Sequence, residues 1–196
     1  MMRNYSNSSV ESRDLMDGYL RFRQKCKEWQ TGHDTLLRML SSFQSQVESM
    51  RGKLSDEDTL MLNRPMDPFR LEELFVSIQE MPPKLESILH DMYDIYHDTR
   101  NASSHDSKKE HGAPCSRRDY IGFVGVEVDM YEAEFQHIEA VVNSLHFDTP
   151  SNVWNTYITS LSTQPFLDMD VLSAITEVQT LLPYHARCLI GQYAET

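Results

Sequence analysis

Metal-binding residue types cluster in the middle of the sequence. His97, His105, His111 and Cys115 lie close together along the chain, and His90 precedes them. Steps of 8, 6 and 4 residues separate the four, and this spacing matches no zinc-binding signature. The sequence therefore predicts no metal site. A small helical metalloprotein that uses this histidine and cysteine segment remains a less favoured alternative.

No other arrangement of reactive side chains predicts catalysis. The chain has no GxSxG nucleophile motif and no GxxxxGK[ST] phosphate loop, and Gly122 and Gly125 do not form GxGxxG. Cys26 falls on an apolar helix face, where a thiol is usually unreactive packing. We therefore predict a protein with no enzymatic activity, no catalytic residues and no cofactor.

One histidine interrupts an otherwise apolar pattern. His33 follows Gly32 in the middle of the first predicted helix. A polar residue at such a position can fix the register of packed helices, or it can act as a pH switch or a ligand. The sequence favours the register role and leaves the other open. Gly32 predicts a soft spot, since glycine costs about 1 kcal/mol relative to alanine inside a helix.

Four basic residues alternate along the same helix. Arg21, Arg23, Lys25 and Lys27 are two residues apart, so they ring the helix and do not form one stripe. A phosphate-binding face is possible with such residues, but ion pairs with the acidic helices are favoured.

Three long stretches repeat apolar residues at alternating steps of four and three. They run from Leu15 to Met50, from Leu71 to Ile95 and from Val124 to Leu145. A mean spacing of about 3.5 residues is typical of coiled-coil-like helices. The predicted fold is all-α, an elongated antiparallel three-helix coiled-coil-like bundle with a carboxy-terminal helical hairpin.

The ends of the elements follow from caps, prolines and glycines. The first helix is predicted from Ser9 or Ser12 to about Gly52, and the second from Asp67-Pro68 to about Thr99. The second contains Pro82-Pro83, which predicts either a kink or two helices placed end to end. The third is predicted from Asp119 to Leu145.

The start of the third helix has an alternative, and a helical hairpin completes the predicted fold. Residues 120–126 are rich in β-branched residues and could instead form a short strand. The hairpin comprises one helix that starts at Thr149-Pro150 and ends at Gln164-Pro165, and another from Asp168 to Leu182.

The predicted domain organisation is simple. Residues 1–11 form a disordered tail, residues 12–182 a single helical domain with a mobile loop at 100–118, and residues 183–196 a loose tail.

Charge and cysteine content restrict the partners and the compartment. The chain has a net charge of −12, and residues 119–196 hold eleven acidic residues and one basic residue. This distribution disfavours direct binding to nucleic acid or anionic membranes. Three widely spaced cysteines indicate a reducing compartment. These features predict a cytosolic or nuclear protein, and the resemblance described below implies the nucleus, with the cytoplasm as an additional location.

The order of several motifs resembles a known family. Residues 27–29 read Lys-Glu-Trp, and residues 129–131 read Asp-Met-Tyr with Glu134 three positions later. Residues 157–161 read Tyr-Ile-Thr-Ser-Leu, and residues 164–167 read Gln-Pro-Phe-Leu. In this order they resemble the cyclin-dependent kinase 2-interacting protein family over residues 12–185, most densely over 128–185.

The resemblance implies a non-enzymatic helical adaptor. Its family is associated with DNA replication and checkpoint signalling, and with an AAA-type ATPase assembly in ribosome maturation. The implied partners are AAA-type ATPase subunits, cyclin-dependent or replication kinases and checkpoint proteins. A structural coiled-coil subunit of a cytoskeletal or kinetochore complex is the alternative.

The hairpin is the predicted docking surface, because it places aromatic residues on an element too short to bury them alone. Its predicted partner-binding residues are Trp154, Tyr157, Leu161, Gln164, Pro165, Phe166 and Leu167.

Overall fold

The fold is known from a computed structural model. It describes the backbone of residues 5–55, 68–103 and 117–177, and the side chains of most of them. Most residues in these segments are helical and no strand occurs among them, so the predicted all-α class is confirmed. The helices are α1 (Tyr5–Ser55), α2 (Pro68–Gln79), α3 (Met81–Ser103), α4 (Arg117–Asn143) and α5 (Ser151–Thr163). Residues 169–177 form a further helical segment. No helix among the described residues is long and apolar enough to cross a membrane.

The four-three pattern marks the core. Nearly every seam residue whose side chain is described is buried. Cys26, Met50, Leu74 and Ile88 are the seam positions in the described residues that keep partial exposure. Burial of the apolar stripes against one another is the main stabilising term in such a bundle, because helix propensity alone is weak.

The contacts divide the chain into two compact units. The first unit comprises residues 1–27, 88–132 and 167–196, and the second comprises residues 28–87 and 133–166.

In the first unit, α3 runs antiparallel to α1, and α4 runs parallel to α1. Lys25 Nζ lies 2.9 Å from an Asp91 carboxylate oxygen, and Gly18 lies against Thr99, so α1 and α3 are antiparallel. The rings of Tyr19 and Tyr120 meet edge to face at 6.3 Å.

In the second unit, α1 runs antiparallel to both α2 and α3. Phe43 packs on Phe75 of α2 with ring centroids 5.3 Å apart, and Gly32 lies against Leu85 of α3. Helix α5 also runs antiparallel to α1, because Gln44 donates to Asn155 while Arg51, further along α1, donates to the carbonyl oxygen of Thr149.

The two consecutive prolines separate α2 from α3. The break falls at Glu80, and Pro82 and Pro83 lie in the first turn of α3. Helical amides there have no partner within their own helix, so prolines are tolerated. Of the two predicted forms, the helices placed end to end are the one observed. Met81 and Leu85 remain buried, so the apolar register continues across the break.

Several predicted boundaries need correction. Residues 5–11, predicted as tail, are helical, and residues 100–103, predicted as loop, are the last turn of α3. Residues 120–126 are helical, so the strand alternative is wrong. Residues 117–118, also predicted as loop, are the first residues of α4. Residues 104–116 of the predicted loop, and Asp67, lie outside the described residues.

The start of α5 differs from the predicted cap. Pro150 occupies the N-cap position without a side-chain hydrogen bond. The Thr149 hydroxyl instead accepts a hydrogen bond from the His146 amide at 3.0 Å. Thr149 therefore closes the preceding turn and does not cap the helix. By contrast, the Asp168 carboxylate accepts from the amides of Asp170 and Val171, so it caps the helical segment 169–177, which begins close to the predicted start at Asp168.

The glycine at the middle of α1 fills a packing role. A Cβ added at Gly32 would lie 2.8 Å from a methyl carbon of Leu85, which is fully buried and has little room to move. Overpacking of this kind costs about 1–3 kcal/mol, more than the gain of about 1 kcal/mol in helix propensity.

We therefore expect Gly32→Ala to lower the free energy of unfolding by about 1 kcal/mol. Gly52→Ala is the matched control, because a Cβ there meets nothing within 4 Å. It is expected to raise the free energy of unfolding by up to about 1 kcal/mol. Urea unfolding of both variants measures the difference, and stabilisation by Gly32→Ala would contradict the packing role.

Candidate functional site

The predicted docking residues divide into a buried and an exposed group. Trp154, Leu161 and Leu167 are buried within the chain. Tyr157 and Gln164 are half-buried, and Pro165 and Phe166 are exposed. A partner can therefore reach Pro165 and Phe166 directly, whereas the three buried side chains support the element that carries them. Partner binding by this set stays a prediction.

Trp154 anchors α5 through an aromatic cluster. Its ring lies 5.2 Å from the Phe43 ring of α1. Phe43 also contacts Phe147 at 5.4 Å, and Phe147 contacts Phe75 of α2 at 4.7 Å. These offset and tilted arrangements are favourable for aromatic pairs. The cluster fixes α5 against α1 and α2, and thus the position of the turn that follows.

His33 binds the carboxy-terminal end of α5. Its Nε2 lies 3.1 Å from the Leu161 carbonyl oxygen, and its side chain is 1% exposed. A carbonyl only accepts, so Nε2 carries the proton and donates. The amide of Gln164 donates to the same carbonyl at 3.2 Å. One carbonyl in the last turn of α5, that of Leu161, therefore binds a side chain from α1 as well as the amide that closes the turn.

The turn after α5 is held in a constrained conformation. Gln164 adopts φ 44° and ψ 63°, in the left-handed region that non-glycine residues rarely occupy. We call Gln164, Pro165 and Phe166 the α5 turn. Such a conformation persists only where the surroundings fix it.

Helix α4 fixes the other side of the α5 turn. The Phe166 amide donates to Glu134 Oε2 at 3.2 Å, and Glu134 is fully buried. The His137 ring lies 5.7 Å from the Phe166 ring, and its Nε2 is 2.9 Å from the Ser160 hydroxyl. Burial raises the pKa of Glu134 above its ordinary value, although the Phe166 amide opposes this shift.

The α5 turn thus presents an exposed aromatic side chain on a fixed backbone. Phe166 is 48% exposed although its amide is bonded to a buried carboxylate. Residues 149–167 also contain no charged side chain, in a chain of which 24% is charged. The centres of protein interfaces are depleted in charged residues and enriched in aromatic ones. The arrangement is suited to binding a partner.

A second buried polar cluster lies in the first unit. The guanidinium of Arg23 forms an ion pair with Glu127, which is fully buried, and it also lies over the Phe22 ring at 5.2 Å. Although burial alone would lower the Arg23 pKa, the hydrogen bond to Glu127 and nearby groups raise it. The free-energy cost of removing both charges from water offsets much of their attraction. The pair is therefore expected to contribute more to the specificity of packing than to net stability.

The cluster also contains Cys26. Burial raises the pKa of Cys26 to about 11, and Arg23 opposes this shift. A raised pKa favours the protonated thiol near neutral pH, which is typical of a cysteine with a packing role.

Two further sequence predictions concern the basic residues of α1 and the possible metal ligands. The ion pairs predicted for the basic residues are present, because Arg21 and Lys25 pair with Asp98 and Asp91 of α3. Among the described residues, no three His, Cys, Asp or Glu side chains come together in a way that could hold a metal ion. The segment with His105, His111 and Cys115 lies outside them.

Glu127 was missed by sequence reasoning, and Glu134 was noted only for the resemblance. They lie seven residues apart, and each directly precedes a seam residue, Val128 or Phe135. Acids at such flanking positions are usually solvated. The spacing of seven residues between the two acids places them on the same side of α4. This spacing does not show whether the two carboxylates are solvated or buried.

Comparison with known proteins adds no identification. No protein-family model matches the chain, and no curated protein matches it significantly. The resemblance described above therefore rests on its motifs alone.

The buried histidine makes a pH-dependent contribution. Burial lowers the pKa of His33, although the Leu161 carbonyl and Asp34 oppose this shift. A lowered folded pKa means that the folded state binds the proton less readily than the unfolded chain does. The stability that His33 contributes is present above its unfolded pKa of about 6.5 and is lost as the pH falls through the lower folded value.

We expect the wild-type chain to lose more stability than His33→Gln when the pH falls from about 7.5 to about 5. Glutamine can still donate to the Leu161 carbonyl but does not titrate. Urea midpoints measured at a series of pH values give both curves, and the difference between them isolates His33. Parallel curves would contradict the expectation.

Proposed function

We propose that the chain is a non-enzymatic helical adaptor that docks a protein partner on the α5 turn. The observation that carries the proposal is the half-exposed Phe166 on a turn fixed by buried side chains of two other helices, His33 of α1 and Glu134 of α4. An aromatic anchor that is already in place loses little conformational entropy on binding, so it can contribute strongly to affinity.

The surroundings of Phe166 also support docking. Helix α5 carries no charged residue, and its exposed side is formed by residues such as Asn152, Asn155, Thr159 and Thr163. A partner can cover these short side chains without removing a charge from water, which would be costly.

The resemblance supplies the expected partners. They are AAA-type ATPase subunits, cyclin-dependent or replication kinases and checkpoint proteins, and the expected location is the nucleus with the cytoplasm as an additional one. The processes are DNA replication, the DNA damage checkpoint, cell division and ribosome biogenesis.

A quantitative pull-down from cells tests the proposal. The wild-type chain is compared with Phe166→Ser and with Leu20→Ser, a matched control that removes an exposed apolar side chain, 56% exposed, from α1. We expect Phe166→Ser to reduce the recovery of the partners that dock on the α5 turn about 10-fold or more. Leu20→Ser is expected to leave their recovery unchanged. Equal recovery by the wild type and Phe166→Ser would overturn the proposed site. Recovery of cytoskeletal or kinetochore subunits in place of the expected partners would favour the structural alternative.

A further inference from the structure

Helix α2 has a second apolar stripe that faces away from its core. Its inner side buries Leu71 and Ile78 and places Phe75 against the aromatic cluster. On another side, Phe69 is 75% exposed and Val76 is 51% exposed. Single exposed apolar residues are ordinary, but these two lie seven residues apart and therefore on one stripe of the helix.

Acidic side chains lie between the two apolar ones. Glu72 and Glu73 line, with Phe69, Val76 and Ser77, a shallow depression of about 520 Å³. We call these five residues the α2 outer face. Both carboxylates are exposed, so they remain available to a cation. A face of this kind, with apolar side chains two helical turns apart and acids between them, is complementary to an amphipathic helix.

We propose that the α2 outer face docks a cationic amphipathic helix of a partner protein. Phe69 and Val76 are about 10 Å apart along the axis, at 1.5 Å per residue, which matches two apolar residues seven positions apart in the partner. Lysine or arginine residues between them lie opposite Glu72 and Glu73. The proposal is independent of the α5 turn, since it uses no residue of that turn.

Charge argues against a second copy of this chain on the same face. Each copy has a net charge of −12, and an isologous contact would bring the two pairs of carboxylates together. Arg70 is the one basic residue within α2, and Lys84 of α3 is paired with Glu80 at 3.2 Å. The two carboxylates of the face therefore outnumber the one basic residue of their helix.

The test uses a fluorescein-labelled peptide of about 15 residues with leucines at alternating steps of four and three and lysines elsewhere. A second, alternating peptide has the same composition but carries its leucines at every second position of one segment, which spreads them around a helix and leaves no apolar face. Fluorescence anisotropy measures binding of each to the full-length chain at low and at moderate salt.

Two pairs of variants locate the binding. Phe69→Ser/Val76→Ser removes the apolar contacts, and Glu72→Gln/Glu73→Gln removes the charges. The matched control for charge is Asp94→Asn/Glu139→Gln, which removes two exposed carboxylates elsewhere. Leu20→Ser is the matched control for apolar exposure, and circular dichroism confirms that each variant is folded.

We expect the amphipathic peptide to bind the wild type and to bind Phe69→Ser/Val76→Ser about 10-fold more weakly. Glu72→Gln/Glu73→Gln is expected to bind about 3- to 10-fold more weakly at low salt, and with a smaller salt dependence. The two controls, and Phe166→Ser, are expected to stay within about 2-fold of the wild type.

Several results would overturn the proposal. The first is equal weakening by Asp94→Asn/Glu139→Gln, which would show general attraction to an acidic chain. Equal binding of the alternating peptide would have the same meaning. Absence of peptide binding would overturn it as well, and sedimentation would then show whether a second copy, dissociated by Phe69→Ser/Val76→Ser, occupies the face.

Discussion

Replacing Arg23 with methionine is expected to lower the free energy of unfolding by about 3–5 kcal/mol. The reason is the partner left behind, because Glu127 is fully buried and would lose the guanidinium that compensates for the desolvation of its carboxylate. The loss is therefore much larger than the net contribution of the ion pair in the wild type. Chemical unfolding in urea, followed by far-ultraviolet circular dichroism, measures it.

The double variant Arg23→Met/Glu127→Leu separates the two contributions. It removes both charges and fills a similar volume, so its stability is expected within about 2 kcal/mol of the wild type. If the double variant were as unstable as the single one, packing and not the unpaired carboxylate would explain the loss. A cost below about 1 kcal/mol for Arg23→Met would show that Glu127 is not desolvated as the structure indicates.

Replacing Trp154 with alanine is expected to cost about 3–5 kcal/mol. The indole is 1% exposed and packs on Phe43, and its loss opens a cavity at the anchor of α5. Binding at the α5 turn should weaken at the same time, because the turn loses the helix that positions it. The measurements are urea unfolding and the pull-down described for Phe166→Ser.

Comparison with Phe166→Ser distinguishes the anchor from the contact surface. Phe166 is half-exposed, so its replacement is expected to change the free energy of unfolding by about 1 kcal/mol or less while still reducing partner recovery. If Trp154→Ala left stability unchanged and abolished binding, Trp154 would be a contact residue and the burial described above would be wrong.

The apolar seams and the helix class could be predicted because they depend on local spacing. Leu36, Leu40 and Phe43 lie at helical steps, and any partner helix would bury them. The prolines at 82 and 83 marked the break, but spacing alone could not choose between a kink and two helices. The structure shows separate helices because both prolines fit the first turn of α3.

The site could not be predicted because its contacts are distant in sequence. His33 and Leu161 are separated by 128 residues, and Arg23 and Glu127 by 104. Nothing local shows that an acid flanking a seam will be buried against an arginine of another helix. The motifs singled out the segment 154–167 as a docking surface, which stays a prediction, but they did not distinguish the side chains that hold this segment in place from those that face outward.

We propose that Phe166 contacts a protein partner. Photo-crosslinking from position 166 tests this contact in the cell. A benzoylphenylalanine residue is placed at position 166 of the full-length chain in cells, and at position 20 as a matched exposed control. If a partner docks on the α5 turn, we expect a defined adduct between position 166 and one partner protein, and no such adduct from position 20. Adducts of equal yield and identity at both positions, or none at position 166, would contradict it.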